Sequence, residues 1–160
     1  METPRTIEGE LDARSLRFAI VASRFNDAVV ERLIAGAADA LRRHGADPAN
    51  LELVRVPGAY DLPLVVRRVA ESGRADAVIA LGAVIRGETA HFDHIAGACA
   101  HGLSRVADET GVPVTFGVLT TDTDEQALDR AGGRHGNRGA DAAEAAIRLA
   151  SLLRQLGGTS

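Results

Sequence analysis

ADAVIALGAVI, residues 75–85, is the stretch on which the reading of the fold turns. From Ala77 onward it is apolar at odd and even positions alike. A strand buried on one face alternates, whereas a central parallel strand covered on both faces reads as a continuous apolar run. At this length the run is too short to span a bilayer. Working outward, RFAIVAS (17–23), LELVRV (51–56) and PVTFGVLTT (113–121) read as three further strands, each followed by a helical pattern. After the first, Val30, Leu33, Ile34, Ala37 and Leu41 form one helical stripe; Asn26 or Asp27 can cap its start and Gly45 suits its end. PGAYDLP (57–63) turns into a second helix, where Pro63 fits only the first turn. A third helix is expected from about 89 to 109, ending at Gly111. DTDEQALDRAG (122–132) reads as a short helix with an Asp122/Glu125 capping-box pattern, GGRHGNRG (132–139) as a tight turn, and 139–158 as the final helix. Four strand–helix alternations predict a three-layer α/β/α sandwich around a four-stranded parallel sheet. The whole chain, 1–160, reads as one domain, with residues 1–15 as a loose arm or an extra strand lent to a neighbour.

Composition narrows the function. The chain has 160 residues, 46% of them hydrophobic, enough for a full core without cross-links. A single cysteine precludes an internal disulfide and points to a reducing compartment; with no apolar leader at the N-terminus, the expected location is the cytoplasm, with no membrane partner. The net charge of −4, with scattered arginines, speaks against nucleic acid as a partner. All 18 basic residues other than histidine are arginine. Without lysine, imine catalysis by a lysine amine and pyridoxal phosphate linkage are excluded, and the phosphate-loop lysine of Walker-type hydrolases is missing.

In an open parallel sheet the ligand crevice lies beyond the carboxyl ends of the strands. The segments there are Ser23–Asn26, Pro57–Asp61, Ile85–His91 and the chain from Thr120, and three of the four carry polar or aromatic groups that a simple loop does not need. RGETAHFDHIAGACAH (86–101) holds three of the five histidines and the cysteine. A metal is one reading, but His94 and His101 stand two helical turns apart, about 20° apart in projection. Cys99 points away from His94, and neither HExxH nor CxxC is present. No metal is expected, and His94 and His101 read as solvent-facing or interface residues. The alternative is an anion site: Gly87 permits unusual backbone angles, the amides of Glu88 and Thr89 point outward at a helix start, and His91 lies one turn in. Taken singly, each feature also has a plain structural role. Gly–Thr makes an ordinary cap, Phe25 fills core, Asp61 is favoured at a helix start, and Arg130 at a helix end. An FMN-binding module is the competing fold-level reading, but RFND after the first strand suits its phosphate loop poorly.

Together, RFN (24–26), VPGAYDLP (56–63), ALGAVIRGETAHFDHIA (80–96), PVTFGVLTTDTDEQALDRAG (113–132) and GNRGADAAEAA (136–146) resemble the lumazine synthases, in order and with matching spacing from Phe18 to the last helix. The resemblance implies a flavodoxin-like fold. It also implies condensation of 5-amino-6-ribitylamino-uracil with 3,4-dihydroxy-2-butanone 4-phosphate, in riboflavin biosynthesis, without cofactor. It assigns pyrimidine stacking to Phe25, the ribityl side to Ala59, Tyr60 and Asp61, and the pyrimidine edge to the backbone of Ala83, Val84 and Ile85. Phosphate goes to the amides of Glu88 and Thr89, the Thr89 hydroxyl and Arg130. His91 moves protons, which suits a side chain type that titrates near neutrality. The site lies between subunits of a pentamer, with Phe116, Arg130 and Arg138 supplied by the neighbour and the N-terminal arm added to the neighbour's sheet. Some members assemble twelve pentamers into an icosahedral shell, which the short GGRHGNRG turn favours here, and riboflavin synthase is a further partner the resemblance admits. A non-catalytic shell or flavin-binding paralogue is the alternative within the same fold. This chain departs from the usual pattern at four points. Arg138 stands for lysine, replacing a point cation by a planar fork. Tyr60 stands for phenylalanine, Asp61 for glutamate, and Glu88 brings a carboxylate to the phosphate loop.

Overall fold

The computed structural model describes residues 2–157. Four strands, β1 (Phe18–Ser23), β2 (Leu51–Val56), β3 (Ala77–Ile85) and β4 (Val114–Thr121), form a wholly parallel sheet in the order β2-β1-β3-β4. This is a doubly wound, flavodoxin-like order. The helices are α1 (Asp27–Arg43), α2 (Leu62–Glu71), α3 (His91–Thr110), α4 (Asp124–Asp129) and α5 (Arg138–Gln155). No helix among the described residues is long and apolar enough to cross a membrane.

The parity of β3 explains the three layers. Ala77, Ile79, Leu81 and Ala83 join one buried cluster with Leu33 and Leu41 of α1 and Ile147 of α5. Val78, Ala80 and Val84 join the other, with Leu62 and Val66 of α2 and Cys99, Leu103 and Val106 of α3. Each face of the strand therefore needs its own helical cover, which is why the run never alternates with polar residues. The expected α1 stripe is buried at Val30, Leu33, Ala37 and Leu41, with Ile34 partly covered.

Local expectations needed correction. The helix expected from 89 starts at His91, after Ala90. The capping box of α4 is Thr123/Gln126, not Asp122/Glu125: Thr123 Oγ1 accepts the Gln126 amide at 3.1 Å, and Gln126 Oε1 accepts the Thr123 amide at 3.3 Å. Both pairs have the same spacing, but Asp122 is held elsewhere, by Arg86. The GGRHGNRG turn contains a small antiparallel hairpin, β5 (Ala131–Gly133) and β6 (Gly136–Asn137), with Gly132 and Gly136 at positive φ. Asn26 precedes α1 but caps nothing with its side chain.

Within one chain, residues 2–16 form no strand. From Glu8 onward the segment is not loose. It lies along α5, where the Glu10 amide donates to Ser151 Oγ at 3.0 Å and Gln155 Nε2 to the Glu8 carbonyl at 2.7 Å. Ala13, fully buried, donates its amide to the His44 carbonyl at the end of α1.

Candidate active site

The ladder between β1 and β3 ends at the pair Ala22–Leu81, while β3 continues along β4 to the pair Ile85–Thr121. Over Gly82 to Ile85 the β1 side of the backbone thus has no strand to pair with, and a notch opens there. The loop after β1 fills only its edge. Arg24 and Phe25 continue the pairing with β2, donating to the carbonyls of Val56 (2.8 Å) and Pro57 (3.0 Å). Asn26 then turns left-handed, φ 65°, a conformation asparagine tolerates better than most residues, and its Nδ2 donates to the Ala83 carbonyl at 2.9 Å. Phe25 is left standing at the mouth, 72% exposed. A large aromatic side chain left so open on a well-packed protein presents a stacking face.

The notch deepens into a cleft of about 490 Å³. Phe25, Ala59, Tyr60, Asp61, Ala83, Val84, Ile85, Thr89 and His91 line it, nine of the thirteen residues expected at the site. Asn26, Gly87, Phe92 and Ile95 join them. Tyr60 is 66% exposed. One oxygen of the Asp61 carboxylate, Oδ2, accepts the Gly58 amide at 3.0 Å and closes the turn Ala59–Asp61; the other makes no hydrogen bond among the described residues. Asn26 was expected as a cap rather than a wall; its signal was an asparagine placed directly after a strand that must turn sharply.

Residues 86–90, the loop expected to take an anion, are all exposed, and Gly87 and Thr89 border the cleft. Gly87 does not use the positive φ that glycine permits, and a Cβ there would meet nothing within 4 Å. The space beside Gly87 is the cleft itself, so glycine leaves room for close approach of a ligand rather than relieving a strained backbone. Thr89 Oγ1 accepts the His91 amide at 3.3 Å, which leaves the hydroxyl proton free to donate. Glu88 is exposed and does not line the cleft, as an anion loop bearing a carboxylate requires. His94 and His101 are exposed and outside the cleft; Cys99 is buried in the core, where burial pushes its thiol up to about 11. Among the described residues no three metal-ligating side chains come together.

Phe116, Arg130 and Arg138 are not brought to this cleft. They line a second one, of about 440 Å³, beside β4 and the start of α5. Phe92 borders both clefts and stands between them. Arg130 ends α4 and donates through Nη1 to the Gln126 carbonyl at 3.0 Å; its own carbonyl accepts the Arg138 amide at 2.8 Å, so the hairpin sets the two cations side by side. Phe116 projects from the edge strand β4, 41% exposed.

One cleft therefore offers an aromatic face, unpaired strand backbone, a carboxylate, an amide-bearing turn and an imidazole. It can hold a planar hydrogen-bonding ring, with an anion close to a group that moves protons. The second offers another aromatic ring, Phe116, and three guanidinium groups, those of Arg86, Arg130 and Arg138. The profile of the 6,7-dimethyl-8-ribityllumazine synthase family matches residues 15–154. Among curated relatives, the 6,7-dimethyl-8-ribityllumazine synthase of Nitratidesulfovibrio vulgaris (strain DP4) is 55% identical over 95% of this chain and 97% of its own. That of Halorhodospira halophila is 57% identical over 93% of this chain and 96% of its own. That of Nitratidesulfovibrio vulgaris (strain DSM 19637 / Miyazaki F) is 51% identical over 95% and 97%. Such likeness, over a range that spans every strand and the whole cleft, means that the chain belongs to the 6,7-dimethyl-8-ribityllumazine synthase family.

Proposed function

We propose that this chain condenses 5-amino-6-ribitylamino-uracil with 3,4-dihydroxy-2-butanone 4-phosphate to give 6,7-dimethyl-8-ribityllumazine, phosphate and water, a step of riboflavin biosynthesis. The observation that carries the reading is near-end-to-end likeness to enzymes of that name, in a chain whose strand ends converge on one cleft. Phe25 stacks on the pyrimidine. The backbone of Ala83, Val84 and Ile85, which runs past the end of β1, reads its edge, and Ala59, Tyr60 and the free oxygen of Asp61 take the ribityl chain. The amides of Glu88 and Thr89, with the Thr89 hydroxyl, receive the phosphate. His91, beside that anion, assists imine formation and phosphate loss. The nucleophile is the amine of the substrate itself, so a chain without lysine loses nothing in catalysis. Much of the acceleration comes from holding two substrates in register.

The division into two clefts supports an intersubunit site: Phe116, Arg130 and Arg138 lie across Phe92 from the main cleft and serve the site of an adjacent copy. A pentamer is the assembly that supplies each site in this way. The tight β5–β6 hairpin favours further association into a sixty-subunit shell, and the part of the arm ahead of Glu8 extends the single domain onto a neighbour's sheet. The lone cysteine fits a cytoplasmic setting. Mixing purified protein with both substrates and following lumazine absorbance tests the function. Acceleration over the spontaneous condensation is expected; none would leave a non-catalytic shell or flavin-binding protein in its place.

A further inference from the structure

Residues 86–90 are exposed throughout; the Thr89 hydroxyl accepts the His91 amide at the start of α3, and among the described residues only one of their side chains bonds beyond α3. That side chain is Arg86. Its amide donates to the Thr121 carbonyl at 2.8 Å, which ends the β3–β4 ladder, and its guanidinium then makes three contacts at once. Nε donates to Asp122 Oδ1 at 2.8 Å, Nη2 lies 3.8 Å from Asp93 Oδ1, and Cζ sits 4.6 Å from the centroid of the Phe92 ring. Asp122 is itself anchored, since its amide donates to Gln126 Oε1 at 2.8 Å within the capped start of α4. Phe92 and Asp93 belong to the first turn of α3, and their chain neighbour is His91.

We propose that Arg86 is a positioning residue. Gripped by Asp122 and laid over Phe92, it holds residues 87–90 and the first turn of α3 against the end of β4, so that Gly87, Thr89 and His91 border the cleft in fixed register. The inference rests on the reading of residues 88–91 as the phosphate side of the site. Arg86 lines the second cleft and not the first, so its effect on the first cleft of its own chain passes through the loop. Arginine is required by the geometry. A planar fork meets a carboxylate with one edge while its face stacks on a ring, whereas a lysine ammonium reaches Asp122 or covers Phe92 but not both.

The test uses the full chain and the variants R86K, R86M and D122N. Steady-state KM is measured for each substrate separately, and hydrogen exchange is followed over residues 87–93. For R86M, KM for the butanone phosphate is expected to rise about tenfold or more, the scale of effect that small misplacements produce. KM for the pyrimidine stays unchanged, exchange of 87–93 quickens, and the melting temperature and sedimentation remain those of the parent. R86K behaves like R86M although it keeps the charge, and D122N shifts KM the same way by less. An unchanged phosphate-side KM, or an equal rise in both KM values, overturns the proposal. If the parent protein itself does not accelerate the condensation, the functional reading fails, and exchange decides alone: 87–93 protected equally in R86M and parent overturns the positioning role.

Discussion

At the scale of single residues, His91 carries the sharpest expectation. It is exposed, opens α3 on the cleft side, and is joined to Thr89 only through its amide, so its ring supports no packing. His91→Ala should lower kcat by about tenfold to a hundredfold, less than proton transfer can contribute elsewhere because positioning supplies much of the rate. Sedimentation should be unaltered. An unchanged kcat would remove His91 from proton transfer. Cleft residues were legible because they follow strand ends and occur in long motifs. The reach of Asn26 to the Ala83 carbonyl was not, since it joins residues on different strands and depends on a left-handed turn. Nor could the sequence choose between Asp122/Glu125 and Thr123/Gln126 for the capping box. That choice depends on Arg86, remote in sequence, claiming Asp122.

At the scale of elements, the tightest crossing is between α1 and α5. A Cβ on Gly139 would stand 2.1 Å from the Leu33 carbonyl oxygen, and one on Gly36 would stand 2.3 Å from the Asn137 side chain. That side chain meanwhile donates from Nδ2 to the Arg32 carbonyl at 3.1 Å and accepts the Ala140 amide at 3.0 Å, capping α5. Gly139→Ala has no room to relax, because the obstacle is backbone. We expect a loss of about 1–3 kcal/mol, the usual cost of overpacking, read as a lower midpoint in chemical denaturation at constant protein concentration. No change in midpoint would mean the helices can part without cost. The four strands could be placed from the sequence to within about two residues, because burial on both faces leaves continuous apolar runs. The β5–β6 hairpin could not: its strands are three and two residues long, mostly glycine, and carry no periodicity.

At the scale of the whole molecule, one chain holds an entire parallel sheet, and its expected site residues other than Glu88 fall in two separate clefts. Motif order pointed to the sheet, and the resemblance implied a site divided between subunits; two clefts with Phe92 between them fit that division. On the proposed intersubunit reading, each defect is local to one half of a shared site. A chain carrying His91→Ala still presents intact Arg130 to its neighbour, and a chain carrying Arg130→Ala still presents intact His91. Either variant alone builds only damaged sites. Co-expressed in equal amounts, two such crippled proteins should regain activity by complementation. Random mixing within a closed ring gives about a quarter of the junctions two sound halves, and the mixture should turn over at roughly that fraction of the parent rate. A mixture no more active than the sum of its components would place the whole site within a single chain.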